Sequence, residues 1–575
     1  MLEVSTIILL TLALAWPLSR YMAGVFNQSP HFSDRLFLPL ESLLYTLLGV
    51  QASQGMTWQV YAKAFLLTNL MFGILAFLIL KFQHILPLNP DGIGALSWDL
   101  ALHTAVSFLT NTNQQHYSGQ AQLTYLSQGT LIVTLQFLTP AMGLAACLAI
   151  LRAMSGGRNH QSAKEGEPRD LGNFYVDTTR AVFRVLMPIA FVLSLLLVWQ
   201  GTPSTFQGAA MATTLDPATE VVQQEIPRGP AAAMIAIKQL GTNGGGYFGP
   251  NSSNPYENPT PLSNVLQLIA IWLIPIALVL MAGSVLRSRS FSAMAFVVMG
   301  VLSLSLITAT IYSERQQNAA LADLSHPGSN MEGKEFRFGS DTSALWATLT
   351  TQTSNGSVNA MHDSLNPIAG LTTRAGMLIN AIWGGIGSGL INFIVYVWVA
   401  VFLAGLLTGR TPELLGRKLE TKEISLLGGL VVLPAAVILV LTAVTVAFPS
   451  LTGNTNPGFH GISQVFYEYT SAFANNGSGF EGLDDDTPWW NLSAVLTLLL
   501  GRYLPIILPL AVAGMMASKR VSQQSSNAIT LSSLTFCITL VVVILMLNFL
   551  SFLPSAVLGP IGEGLELAVI GKESF

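Results

Sequence analysis

Ten apolar runs, each close to the length a helix needs to cross a bilayer, leave this chain almost no soluble alternative. A hydrocarbon core about 30 Å thick takes roughly 20 apolar residues per helix. Such runs begin near Val4, Tyr61, Tyr125, Ala181, Leu262, Phe291, Gly376, Ile424, Trp490 and Ala528. Composition agrees, since of 575 residues 51% are hydrophobic and 10% charged, against about 25% charged in soluble domains. A net charge of -4 spread over this length, with no basic face interleaved with aromatics, excludes a nucleic-acid partner. Cys147 and Cys537 both lie inside apolar runs and read as packing residues. The run from Val4 to Leu18 lacks a basic n-region and an A-x-A site, so it reads as a retained helix and not as a cleaved signal.

Orientation follows from the short loops, because Lys and Arg near helix ends stay on the cytoplasmic side. One face collects Arg20, Arg35, Arg152, Arg158, Lys164, Arg169, Arg287, Arg289, Arg410, Arg417, Lys418, Lys422, Lys519 and Arg520. The opposite face then holds both termini and four longer segments, near 84–125, 201–261, 313–375 and 449–489.

Each outer segment carries a partly apolar stretch too short to span, running into a polar Gly/Asn tetrad. They read SFLTNTNQQHYSG, IKQLGTNGGGYFG, TLTTQTSNGSVNAM and TSAFANNGSGFEG. Aligned on the shared asparagine, the tetrads are Thr110-Asn111-Thr112-Asn113, Thr242-Asn243-Gly244-Gly245, Ser354-Asn355-Gly356-Ser357 and Asn475-Asn476-Gly477-Ser478. Each repeat is therefore helix, re-entrant loop, helix. Non-helical backbone at membrane depth leaves N–H and C=O groups unsatisfied unless it lines water or is buried in protein. Four such loops meeting at one axis place carbonyl oxygens where an ion's hydration shell was, and each preceding short helix directs its negative end at the same point. Glycine, as in Gly244-Gly245-Gly246, permits the alternating backbone this requires. Hard oxygen donors without a carboxylate in any tetrad favour a monovalent alkali ion.

The four tetrads, together with NAMHDS from Asn359 to Ser364, GGIGSG from Gly384 to Gly389 and GRTPELLGRK from Gly409 to Lys418, make the chain resemble the KdpA family along essentially its whole length. That family comprises the potassium-binding subunits of bacterial potassium-transporting P-type ATPases, related to Trk/Ktr/HKT transporters. The resemblance implies an all-α polytopic membrane protein of about ten transmembrane helices: four membrane-pore-membrane repeats in pseudo-fourfold arrangement plus one extra N-terminal helix. On this reading residues 1–60 form the extra helix and a cytoplasmic connection. The pore repeats are 61–155, 181–287, 291–409 with a broken second helix, and 424–518, and 528–575 is a C-terminal transmembrane helix and tail. The implied activity is selection of K+ for a high-affinity, ATP-driven uptake complex in the bacterial inner membrane, with both termini extracytoplasmic. Its implied partners are a KdpB-like P-type ATPase subunit, a KdpC-like subunit, a KdpF-like small peptide and membrane lipid. No G-x-x-x-x-G-K-[ST] loop and no DKTG-like stretch occurs here, so hydrolysis is expected on another chain, with no nucleotide bound by this one. A stand-alone Trk/Ktr-type channel or symporter is the alternative.

Several further residues are singled out. Gln115, which matches a family position, and Gly246 are expected near the filter. Lys238, at the end of the second pore helix, reads as a cation at a helix C-terminus or as an electrostatic tuner of the pore. The cluster Gly384, Gly385, Gly387 and Gly389 interrupts a run that extends from Gly376 to Thr408, and reads as a gating break beneath the third loop or as a close helix contact. Arg502, mid-span in LLLGRYLPIILPL, reads as lining a cavity or as half of a structural ion pair. His362 and Asp363 are expected to cap the next segment, Glu468 to make local hydrogen bonds, and Asp484, Asp485 and Asp486 to form a solvated loop. Asn355 and Asn380 depart from the family pattern, where a small residue and an acidic residue are usual.

Overall fold

The computed structural model describes residues 2–27, 31–158, 166–215, 223–318, 321, 328–409, 411–521, 531 and 533–573. Lys164, Arg410 and the expected start at Ala528 lie outside them. Among the described residues, ten helices are long and apolar enough to cross a membrane. They are Leu2–Phe26, Trp58–Lys81, Ser127–Met154, Phe174–Gln200, Pro261–Val285, Arg289–Glu314, Ser388–Thr408, Thr421–Ala447, Pro488–Ser518 and Leu534–Val569. Every expected run is matched. The fourth helix starts earlier than its apolar run, because Asn173 caps it by accepting from the amides of Tyr175 and Val176. Its first turns carry Asp177, Arg180 and Arg184, which an apolar scan passes over.

Between the spans lie four short helices, Trp98–Leu109, Ala231–Leu240, Gly339–Gln352 and Gly458–Ala474, one before each tetrad. They match the short stretches that the sequence reading takes as pore helices. They are too short to cross, and their residues are almost wholly buried, so they descend into the protein and stop. Lipid-facing positions on the outer spans, such as Leu67, Leu70 and Ile74, are exposed, whereas Ser127–Met154 and Pro261–Val285 are largely enclosed.

The run from Gly376 to Thr408 is not one straight helix. Two helices, Pro367–Ile379 and Ser388–Thr408, stand in its place. Asn380 ends the first half at φ 45, and Trp383, Gly384 and Gly387 also take left-handed backbone, at φ 64, 60 and 85. A Cβ on Gly384 would stand 2.1 Å from the Gly389 Cα, so the two glycines let the chain fold back on itself.

The first helix packs along Pro261–Val285. Beside it, Asp34–Leu47 exposes Leu36, Leu38, Leu40, Leu43 and Leu47, the pattern of a helix lying in an interface plane. Two small hairpins complete the described chain. Ala210–Thr213 pairs antiparallel with Gln223–Ile226, and Glu413–Leu414 with Arg417–Lys418. The sequence reading has no counterpart for either, since strands this short leave no periodicity.

Arg152 ties the first helix to the repeats. Its guanidinium donates to both oxygens of Asp177, at 2.6 and 3.0 Å, and to the carbonyls of Leu171 and Phe26, all of them buried. Removing one member of a buried pair strands the other charge. Arg152→Met is expected to destabilise the detergent-solubilised protein by about 3–5 kcal/mol, read from its denaturation midpoint. An unchanged midpoint would contradict this role.

Candidate functional site

The pore helices converge, and their hydrogen bonds fix a common register. The amides of Thr112, Asn243, Asn355 and Asn476 donate to the carbonyls five residues earlier, Ser107, Lys238, Thr350 and Ser471, at 3.1, 2.9, 2.9 and 2.9 Å. Left-handed backbone precedes each at Asn111, Thr242, Ser354 and Asn475, with φ 62, 50, 48 and 53, and follows each at Asn113, Gly244, Gly356 and Gly477, with φ 55, 78, 87 and 95. This corrects the alignment on the shared asparagine. Asn111, not Thr110, is the counterpart of Thr242, and the first segment reads Asn111-Thr112-Asn113-Gln114. Thr110 caps its pore helix, and its hydroxyl lies 2.8 Å from that of Thr112.

The four segments close into a ring, three seams formed by the second-position asparagine and the fourth by the first-position Asn475. Asn243 donates to the Asn111 side chain at 2.6 Å, Asn355 to the Lys238 carbonyl at 3.1 Å, and Asn476 to the Thr350 carbonyl at 2.8 Å. Asn475 closes the circle onto the Thr112 hydroxyl at 3.0 Å. Backbone meets backbone at these seams. A Cβ on Gly244 would lie 1.9 Å from the Asn355 oxygen, one on Gly356 1.9 Å from the Asn476 oxygen, and one on Gly477 2.1 Å from the Thr112 oxygen. At the remaining seam Asn113 keeps its side chain and Gly245 opposite supplies the room. Asn355 fills the same seam role as Asn243 and Asn476.

Side chains behind the second segment engage several of its carbonyls. Asn251 donates to the Gly244 oxygen at 2.7 Å, Gln136 to Gly245 at 3.3 Å and Asn111 to Thr242 at 3.0 Å. Gln115 clamps Gly246 twice, donating to its oxygen at 2.9 Å and accepting from its amide at 2.7 Å. In this repeat these carbonyls therefore also serve as acceptors for neighbouring side chains. The second-position oxygens of Thr112, Asn355 and Asn476 are the ones set against neighbouring segments.

Lys238 does more than end a helix. Fully buried, it pairs with the equally buried Glu257 and donates to Asn251, whose amide in turn holds the Gly244 carbonyl. Glu257 also accepts from the Phe248 amide at 2.9 Å. Neither Glu257 nor Asn251 is visible as a partner in the sequence, because nothing in the linear order of the outer loop says it folds back over the pore helix.

The broken helix passes directly beneath the ring. The Gly384 amide donates to the Gln352 carbonyl at 2.9 Å, the Ile386 amide to the Thr242 hydroxyl at 3.0 Å, and the Ser354 hydroxyl to the Asn380 side chain at 3.0 Å. Gly385 lies beside Thr242 and Ser354, and Gly387 has room for no Cβ because it would stand 2.1 Å from the Gly143 oxygen. On that same side Arg502 donates to the Thr139 carbonyl at 3.2 Å, and Thr139 donates to the Asn111 side chain at 2.8 Å. Among the described residues Arg502 has no carboxylate within ion-pair distance, so the structural ion pair is set aside.

Three other expectations are corrected. His362 and Asp363 do not cap the following helix, whose N-cap is Asn366. Instead their amides donate to Glu481, at 2.9 and 3.3 Å, and the His362 ring meets the Tyr467 hydroxyl at 2.9 Å. Burial and the nearby Lys334 charge push the His362 imidazole down to about 3. Asp363 instead meets His460 at 2.9 Å. Burial pulls that imidazole down, but Asp363 and Glu563 outweigh it and hold its pKa at about 9. Glu468 makes no merely local bond, since it accepts from Gln114 and faces His116 across the first segment. Asp484 and Asp486 are exposed, whereas Asp485 turns partly inward toward His116.

Lys238→Met leaves Glu257 buried without a counter-charge and is expected to cost about 3–5 kcal/mol in detergent denaturation. Adding Glu257→Leu is expected to recover most of that stability, because a buried pair replaced by apolar groups is near neutral. Equal stability of the single and double variants would contradict the pairing.

A family model described as KdpA, potassium-transporting ATPase A subunit, matches residues 5–565. A protein of Gloeobacter violaceus named potassium-transporting ATPase potassium-binding subunit is 43% identical over 571 residues, covering 98% of this chain and 97% of its own. One of the same name from Synechocystis is 44% identical over 571 residues, covering 98% and 99%. The crystal structure of the potassium transporter TrkH from Vibrio parahaemolyticus shares the fold, with TM-score 0.51 at 14% identity over 87% of this chain and 97% of that one. Matched nearly from end to end, the chain belongs to the KdpA family.

Proposed function

We propose that this chain is the potassium-selecting subunit of an ATP-driven uptake complex, a reading supported by relatives named potassium-transporting ATPase potassium-binding subunit. The closed ring of four left-handed segments carries the reading. Potassium enters from the face bearing the four outer segments and exchanges its water for oxygens of residues 111–114, 242–245, 354–357 and 475–478. Four membrane-pore-membrane repeats, 61–155, 181–287, 291–409 and 424–518, supply one segment each, with the helix near the N-terminus standing outside them. Rigidity of the seams supports selectivity, because each segment is held by its neighbour as well as by its own pore helix.

Beneath the ring, the loop from Asn380 to Gly389 acts as the gate, and Arg502 lines the space beside it. The loop is bonded to Thr242 and to the end of the third pore helix, so its movement is felt at the filter. ATP hydrolysis belongs to a separate KdpB-like P-type ATPase chain, with KdpC-like and KdpF-like subunits completing the assembly in the bacterial inner membrane. The basic loops face the cytoplasm and both termini the outside.

The TrkH likeness keeps a stand-alone channel as the second reading. The two differ in energetics, since the complex accumulates potassium only while ATP is hydrolysed and a channel dissipates a gradient without it. Gly244→Asp would force a side chain and a fixed anion onto the Asn355 carbonyl. It is expected to abolish uptake from micromolar potassium in a strain lacking other uptake systems, with membrane insertion intact. Uptake at the parental rate would contradict the filter assignment.

A further inference from the structure

Beside the outer end of the first segment, His116, Glu468 and Asp485 bring one donor atom each to within 4.8 Å of one another. The His116 Nε2 stands 3.5 Å from the Glu468 Oε1 and 3.8 Å from the Asp485 Oδ2. The His116 and Glu468 side chains are 0% and 2% exposed, and the His116 Nε2 has no hydrogen-bond partner among the described residues. Such an atom is costly unless something completes it.

The tautomer follows from the neighbours. Asn491 donates through its Nδ2 to the Asp99 carboxylate at 3.0 Å, which turns its Oδ1 toward the His116 Nδ1 at 2.8 Å. An oxygen there accepts, so Nδ1 carries a proton. With Nδ1 protonated, Nε2 faces two carboxylates, a position that either a second imidazole proton or a metal cation fills. Holding the far nitrogen of the imidazole through a hydrogen bond is how metal-ligating histidines are oriented. His103 stacks flat on the His116 ring, 3.7 Å away at 15°, and closes one wall. Asp485, with its side chain 27% exposed, leaves the way in.

We propose that His116, Glu468 and Asp485 form a zinc site that links the first filter segment to the fourth pore helix. In tetrahedral zinc sites with bonds of about 2.0 Å, ligand atoms stand about 3.3 Å apart. The observed 3.5 and 3.8 Å thus close onto an ion with a small movement of Asp485, the most accessible of the three. One imidazole with two carboxylates suits zinc better than magnesium or calcium, which take all-oxygen shells. The fourth position is left for water. Glu468 also accepts from Gln114, the last residue of the first segment, so an occupied site restrains the filter at the seam where the ring closes. That consequence for transport rests on the potassium reading, whereas zinc binding itself does not.

The test is direct binding. The full-length chain, purified in detergent and stripped with a chelator, is titrated with zinc, and the zinc-loaded protein is measured by X-ray absorption. One zinc per chain is expected at micromolar affinity or tighter, with a single imidazole nitrogen and the remaining ligands oxygen. His116→Ser and Asp485→Asn are each expected to weaken binding at least tenfold while the protein elutes as before on gel filtration. Asp485 lies on an outer loop, so its variant keeps the test decisive should the His116 variant misfold. Absence of zinc binding by the parent chain would mean that a proton occupies the cluster and would overturn the proposal. So would parental affinity in the Asp485 variant, or equal competition by calcium or magnesium.

Discussion

Everything in this structure follows from a rule of the bilayer: backbone that is not helical must find its hydrogen bonds inside the protein. Four short buried helices stop inside the protein, and the peptide groups beyond them are completed by their own helix ends and by side chains of neighbouring segments. Asn243, Asn355 and Asn476 each bond backward to the preceding segment, and Asn475 reaches forward to Thr112. A ring built this way cannot be assembled piecemeal, because every segment is half of two seams. Left-handed backbone at eight positions is its conformational cost, and glycine is used at the third position wherever a Cβ would strike the neighbour's carbonyl.

A second layer makes the ring rigid. Glu257, Lys238 and Asn251 form a buried chain that ends on the Gly244 carbonyl, and Gln115 holds both sides of the Gly246 peptide unit. The Asn380 to Gly387 stretch bonds to Thr242, Ser354 and Gln352, so this loop is tied to the ring. Arg502 reaches the same assembly from the first repeat's side through Thr139 and Gly143.

Much of this was legible in the sequence. Ten spans, four pore helices, the four tetrads and the split third repeat all leave marks that a scan along the chain detects, because each is a local property: apolar length, brevity, or a cluster of glycines. What was not legible is lateral. The one-residue shift between Asn111 and Thr110 hides because the first segment has asparagine at both 111 and 113, and only the bond from Thr112 to Ser107 settles which matches Thr242. Glu257 and Glu468 look like ordinary outer-loop and helix acids until Lys238 and Gln114 are placed against them. Asp363 reads as a cap by position, yet its partner, His460, is in another repeat. Side chains that join repeats have no periodicity by which a single sequence could betray them.

The central claim is that the ring holds a dehydrated potassium ion. Its most direct test is a density map of the protein with thallium in place of potassium, scored by anomalous scattering. The account predicts a peak on the ring axis, in direct contact with oxygens of Thr112, Asn243, Asn355 and Asn476. A map with no peak there, or with the ion held elsewhere by carboxylates, would contradict it.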